Sequence, residues 1–247
     1  MGASWLEYRF RLAILVAIAG LGFWAPWIDD PDIGGHTPAL YWLIRFVCRM
    51  THIPIGFTAP ALLVLVAAMA GAGAVLRIWG AAWHPPFVYN YKSMTTATRA
   101  IEGPYLCLRH PKATGAWLIL TTASLLMPIG GAFVAIALFT LLLARLIRRE
   151  EYYLTAELGS RYRNYCNTVP GFIPHFLFLR RAPTQTPLYG RAILTEIGSI
   201  GIFLTISCLS WSRDNRMLIV AAAISFAAGL IVKLILPPRQ YDGKTVK

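Results

Sequence analysis

Two short clusters hold the residue types from which a site for a charged ligand is made. The first is Arg109-His110-Pro111, inside the run Glu102-Gly103-Pro104-Tyr105-Leu106-Cys107-Leu108-Arg109-His110-Pro111-Lys112-Ala113-Thr114-Gly115. Gly103-Pro104 signals a turn, and Pro111 suits the first turn of a helix, where its missing N–H is not needed. His110 then stands at a helix N-terminus, beside exposed backbone donors and the positive end of the dipole. Gly115, one turn in, lets a flat ligand or another backbone come close. The second cluster is Arg148-Arg149-Glu150-Glu151-Tyr152-Tyr153-Leu154, at the end of an apolar run. There the carboxylates face the unfavourable end of a helix dipole, with Arg148 and Arg149 as neutralising neighbours. One carboxylate, about 100° round the helix from the other, is expected to point into a pocket and bind a cation. Whether that is Glu150 or Glu151 is open at this level. Taken singly these residues have ordinary explanations as turn formers, interface anchors and solvated charge; it is their combination that points to a site.

The elements that must position the clusters are apolar helices. Of the 247 residues, 57% are hydrophobic and 14% charged, and the mean hydropathy is +0.56, outside the range of ordinary soluble domains. A span needs ~20 apolar residues. Runs at about 12–28, 58–83, 113–128, 130–147, 191–211 and 217–236 predict an all-α polytopic membrane protein with about six transmembrane helices. The expected organisation is an N-terminal transmembrane helix and interfacial helix at 1–57, a membrane core at 58–183, and a C-terminal hairpin with a basic tail at 184–247. Arg9 and Arg11 before Ala17-x-Ala19 faintly resemble a cleavable signal, but the apolar run continues through Leu21, Phe23 and Trp24, so a retained first span is expected. Residues 38–50 mix Trp42, Leu43 and Phe46 with Arg45 and Arg49 at helical spacing, which predicts an amphipathic interfacial helix or a short seventh span.

Met127-Pro128-Ile129-Gly130-Gly131 reads as a tight turn between spans three and four, and Arg213-Asp214-Asn215-Arg216 as a second one. The net charge of +12 lies in the connections between apolar runs. That pattern favours anionic lipid headgroups over nucleic acid as partners. One basic connection holds Lys92, Arg99, Arg109 and Lys112, and another Arg148, Arg149, Arg161, Arg163, Arg180 and Arg181, while Asp29, Asp30 and Asp32 follow span one. The positive-inside rule then puts both clusters and both termini on the cytoplasmic side, with Arg45 and Arg49 dissenting. Arg77, near the cytoplasmic end of span two, is read as a snorkelling charge or a further member of the site. Cys48, Cys107, Cys166 and Cys208 are isolated and lack His at zinc-ligand spacing, so neither metal nor disulfide framework is expected.

In order and spacing, these residues resemble the isoprenylcysteine carboxyl methyltransferases and the related phospholipid N-methyltransferases. The matching positions are Gly103-Pro104-Tyr105, Arg109-His110-Pro111 and Gly115, then a hydrophobic hairpin, then Glu150-Glu151, Leu154, Gly159, Tyr162, Tyr165, Val169-Pro170 and Pro174. The resemblance covers about residues 75–175. It departs at Ala113, where the family has Tyr, at Leu158 in place of Phe, and at Gly171 where Arg is common.

The resemblance implies methyl transfer from S-adenosylmethionine to a lipid-like acceptor, first the carboxylate of a prenylcysteine-type substrate, at a cofactor pocket on the cytoplasmic face. Tyr105, His110, Pro111, Gly115, Glu150, Glu151, Leu154, Tyr162 and Tyr165 are the implied cofactor contacts. Arg109, Arg145 and Glu151 are the implied catalytic groups, an Arg steering an acceptor carboxylate or a Glu taking a proton from a protic one. Phospholipid amines and small thiols or acids remain alternative acceptors. An NADPH-dependent membrane sterol or steroid reductase, and a non-enzymatic membrane carrier or scaffold, are the other classes weighed.

Overall fold

The computed structural model describes residues 4–24, 37–83, 87–90, 95–98, 101–175, 186–212 and 215–235. The expectations resting on Asp29, Asp30, Asp32, Lys92, Arg99, Arg180, Arg181, Arg213 and Asp214 lie outside these residues.

Helices form along the apolar runs and begin where local chemistry favours a start. α1 (Trp5–Arg9) opens with a capping box, the Ser4 hydroxyl accepting from the Glu7 N–H while the Glu7 carboxylate accepts from the Ser4 N–H. The chain bends at Phe10 and continues as α2 (Arg11–Phe23). α3 (Ala39–Thr51) follows, then α4 (Ile55–Ala82), α5 (Pro111–Ser124) and α6 (Ile129–Leu158). Pro54 and Pro128 stand directly before α4 and α6, and Pro111 is the first residue of α5, so the proline N–H is absent only where a helix has no use for one. α7 (Ser160–Thr168) follows a break at Gly159, and α8 (Tyr189–Thr195), α9 (Ile197–Ser212) and α10 (Asn215–Ile235) complete the helices. Between α4 and α5 lies one short antiparallel hairpin, β1 (Phe87–Asn90) with β2 (Thr95–Thr98), in the register Phe87 to Thr98. The described chain is otherwise helix and connection.

Among the described residues α4 and α6 are long and apolar enough to cross a membrane, and α8 with α9, bent by 66°, would make a third crossing. At 1.5 Å per residue, 28 and 30 residues give ~42 and ~45 Å against ~30 Å of hydrocarbon. Their outward faces are apolar: Val64, Leu65 and Val75 of α4 and Phe133 and Leu141 of α6 are more than half exposed, a surface that suits lipid. Among the described residues the lengths do not establish six full spans. α2 and α5 have 13 and 14 residues, short of the ~20 a crossing requires. The apolar run of α5 is cut at both ends, by Pro111 and by the turn at Leu125–Pro128.

α5 and α6 form the tight hairpin their turn residues predict. α3 docks on that turn: Ala39 N–H donates to the Met127 carbonyl and Leu40 N–H to that of Leu125, each at 2.8 Å. At 13 residues α3 is too short to span; it buries Leu40 and Ile44 and leaves Tyr41, Trp42, Phe46 and Met50 exposed, an amphipathic helix at one end of the bundle. Two apolar clusters hold the helices together. Ile18 of α2 meets Ala132, Ala135, Phe139 and Leu142 of α6, and Leu40 and Ile44 of α3 meet Leu63, Val66 and Ala70 of α4 with Ile206 of α9. The opposite end of the bundle gathers α1, the end of α4, the start of α5, the end of α6, α7 and α8.

Candidate active site

The segment ahead of α5 is clamped from three sides. A 3-10 turn, Gly103–Leu106, begins at Gly103 with φ 58°; a Cβ there would lie 2.5 Å from the Trp83 ring, so both the backbone and the space require glycine. Tyr105 Oη donates to the Gly80 carbonyl of α4 at 3.0 Å, and Tyr165 Oη of α7 donates to the Tyr105 carbonyl at 2.9 Å. Arg109 N–H donates to the Pro170 carbonyl at 2.9 Å and His175 N–H to the Cys107 carbonyl at 3.0 Å. Thr114 Oγ1 donates to the Phe172 carbonyl at 3.3 Å. Residues 169–175 thus run alongside 105–114 and lock it against α7.

On this frame the two clusters, 41 and 42 residues apart in sequence, meet on one atom. Glu151 Oε1 accepts from Arg109 Nη1 at 2.7 Å and lies 3.0 Å from His110 Nε2. His110, the N-cap of α5, is 10% exposed in its side chain, Arg109 18% and Glu151 27%. Burial, the largest single influence, would lower the Arg109 pKa, but Glu151 together with Cys166 and Tyr162 outweighs it and holds the guanidinium above its ordinary value. Cys166 acts on Arg109 as an acceptor for its guanidinium, and Arg109 Nη2 lies where a Cβ on Gly171 would come within 3.0 Å. The departure to Gly171 therefore makes room for this guanidinium. Arg109 Nε is buried with no hydrogen-bond partner among the described residues.

Glu150 behaves differently from its neighbour. It is partly buried, and the charges that reach it are those of His110, Glu151, Lys112 and Arg11. Yet no hydrogen bond or ion pair holds its carboxylate among the described residues. The helix that carries both groups also ends later than the apolar run predicts. α6 continues to Leu158, so the carboxylates stand about two turns short of its C-terminus and escape the dipole penalty expected for them.

Other expected contacts take different roles. Gly115 faces a backbone: a Cβ on it would lie 2.5 Å from the Gly73 carbonyl of α4 and 2.7 Å from Arg77 Cγ, which leaves no room for a ligand. Pro111 is fully buried, under Gly80. Leu154, Tyr162 and Tyr165 are 2, 2 and 4% exposed and pack with Val169 into one cluster; Tyr105 is 5% exposed and packs with Trp83 and Ala192. Burial raises the Tyr162 and Tyr165 phenols and the Cys107 thiol, so all three stay protonated at neutral pH. These side chains shape the wall behind Arg109 and His110. Arg145 is not brought to the cluster at all. Its Nε and Nη2 each donate at 2.9 Å to the two oxygens of Glu7, pinning α1 to α6. That pairing, with the Ser4 N–H, lowers the Glu7 pKa to about 2.

The sequence reading missed Glu196. It lies 4% exposed at the bend between α8 and α9 and pairs with Arg77 Nε at 2.6 Å. A signal existed: Glu196 is the sole acidic residue between Glu157 and Asp214, and Arg77 the sole charge of α4. Lone opposite charges in two apolar helices are natural partners. Among the described residues no group of three or more His, Cys, Asp and Glu could hold a metal. No family model, no curated protein and no solved structure matches the chain.

Proposed function

We propose that the protein is an integral membrane methyltransferase that moves a methyl group from S-adenosylmethionine to a lipid-like acceptor, with the carboxylate of a prenylcysteine-type molecule as the first candidate. One observation carries the reading: Glu151 is neutralised by Arg109 and His110, while the adjacent Glu150 keeps a partly buried carboxylate that nothing among the described residues occupies. Holding an unpaired carboxylate in a partly buried position is costly unless a cation arrives. The cofactor brings an α-ammonium and a sulfonium, and the residues present fit it on that ground. In this reading Glu150 takes the ammonium, and His110 with the start of α5 faces the α-carboxylate.

The cofactor supplies an electrophilic methyl carbon, and the chain's work is to hold the acceptor in line with it. A carboxylate acceptor needs no general base, which suits a site whose Glu151 and His110 already bond one another. Arg109, tied to Glu151, keeps His110 and α6 in fixed relation and does so as a positioning group. The packed tyrosines Tyr105, Tyr162 and Tyr165 exclude water from behind the site. By the positive-inside argument the site faces the cytoplasm, so cofactor enters from water and the acceptor sideways from the bilayer.

The test is calorimetry with S-adenosylhomocysteine on protein in lipid nanodiscs. Binding is expected for the wild type and loss of binding for Glu150→Ala with Glu151→Ala. Tight NADPH binding without any response to the homocysteine compound would overturn the proposal. Methyl-transfer assays across prenylcysteine, aminophospholipid and small thiol acceptors then identify the substrate.

A further inference from the structure

α3 docks on the α5–α6 turn and on the first half of α4, away from the candidate site. One side of it is settled, since Leu40 and Ile44 are buried against α4 and α9. The other side carries two strips. Trp42, Phe46 and Met50 recur every fourth residue and are exposed; Trp42 and Phe46 stack with ring centroids 5.3 Å apart and planes 9° from parallel. Arg45 and Arg49, also four apart and exposed, form the second strip, about 60° round the helix from the first. The ring strip continues through exposed Ile53 and Ile55 to Phe57, which joins it to the apolar outward face of α4. The arginines have no counter-charge nearby in the sequence: no Asp or Glu occurs between residues 33 and 101. Among the described residues no ion pair includes either of them. Arg45 Cζ instead lies 5.8 Å from the centre of the Tyr41 ring. Cβ atoms one helical turn apart are roughly 5–6 Å from one another, so both guanidiniums can reach one phosphate, which their planar donor sets suit.

We infer that α3 is a binding surface for anionic phospholipid in the leaflet opposite the candidate site, where Arg45 and Arg49 take the headgroup phosphate and Trp42, Phe46 and Met50 lie against the acyl chains. The pairing of the two strips selects this occupant. A purely apolar partner leaves two guanidiniums without a counter-charge, and a water-soluble acidic partner leaves the ring strip wet. A phospholipid of net negative charge satisfies both at once. The same binding gives a use to the two arginines that depart from the positive-inside distribution. The inference is independent of methyl transfer and requires only that α4 and α6 cross the bilayer.

The test uses the full chain in phosphatidylcholine nanodiscs that carry a minor fraction of phospholipid brominated in its acyl chains, either phosphatidylglycerol or phosphatidylcholine. Bromine quenches tryptophan on contact, and the difference between wild type and Trp42→Phe isolates the signal of Trp42. Brominated phosphatidylglycerol is expected to quench Trp42 at about a five-fold lower mole fraction than brominated phosphatidylcholine. Arg45→Gln with Arg49→Gln, at two exposed positions, should bring the two lipids to within about two-fold of each other. Raising the salt concentration on the wild type should shrink the preference in the same direction, which keeps the test decisive without any variant. Equal quenching by the two lipids, a preference for phosphatidylglycerol that survives both the paired substitution and high salt, or no quenching of Trp42 by either lipid overturns the inference. None of these outcomes bears on S-adenosylhomocysteine binding, so the two proposals fail separately.

Discussion

Replacing Glu151 by Gln removes the charge on which Arg109 and His110 converge, and the structure allows the cost to be worked out. A hydrogen bond to a charged group contributes about 1.5–3 kcal/mol. The Arg109 and Glu151 side chains are 18% and 27% exposed, so water can partly replace the lost partner and the lower end applies. With a smaller share for His110, the loss is about 2 kcal/mol. In a chain of this size that lowers the melting temperature by about 4–8 °C. Glu150→Gln is the control that gives the measurement its meaning. The Glu150 carboxylate has no partner among the described residues, so the substitution breaks no bond and should leave stability unchanged or raise it. It should nevertheless weaken S-adenosylhomocysteine binding about ten-fold or more, the loss of one charge-assisted contact. Melting followed by the fluorescence of the 8 tryptophans, beside calorimetry on the same nanodisc samples, separates the two effects. If Glu150→Gln melts as early as Glu151→Gln, or binds as well as wild type, the division of labour between the neighbours is wrong.

Gly115→Ala should lower stability by about 2–3 kcal/mol, seen as an early melt, because its Cβ would meet the Gly73 carbonyl at 2.5 Å. A stable alanine variant would show that α4 and α5 are not in backbone contact there. The Glu7–Arg145 pair makes part of the stability acid-labile. The Glu7 pKa is lowered from 4.5 to about 2 in the fold, so its contribution is complete above pH 4.5 and fades as the pH falls towards 2. Glu7→Gln should flatten the dependence of melting temperature on pH in that window, and an unchanged slope would refute the pairing. Tyr165→Phe strips the buried Tyr105 carbonyl of its Oη donor and should cost about 1–2 kcal/mol in thermal melting, with S-adenosylhomocysteine affinity retained.

The parts of this fold that were legible in the sequence are those fixed by local chemistry. The apolar runs give α4 and α6, the Pro128 turn gives the α5–α6 hairpin, and Pro111 gives the start of α5 with His110 as its cap. Long-range pairing was legible only where two signals coincided, as with Arg109-His110 and Glu150-Glu151. Arg145 shows the limit. Nothing in its own segment reveals that α1 presents Glu7 to it, because that contact depends on how α2 lies against α6. Gly115 was read correctly as a point of close approach, yet a glycine does not say what approaches; Gly73 on α4 does. The β1–β2 hairpin was passed over as connection, although Phe87-Val88-Tyr89 and Thr95-Thr96 have the β-branched and aromatic content of short strands.

Adjacent carboxylates on a helix repel one another, and this site separates them by giving them different surroundings. Glu151 turns towards the clamped start of α5, where the geometry fixes two donors within 3.0 Å. Glu150 lies in the field of His110, Glu151, Lys112 and Arg11. Each of these cations already has a contact elsewhere: Lys112 lies 3.7 Å from Glu196, and Arg11 sits 4.6 Å over the Tyr8 ring. None of these groups bonds the Glu150 carboxylate. Such a carboxylate attracts a ligand cation but does not need to shed a protein partner first, which keeps the cost of binding low. The same logic explains why elements outside the motif-bearing segment matter. α2 contributes Arg11, and the α8–α9 bend contributes the Glu196 partner of Lys112, to the charges around the two carboxylates.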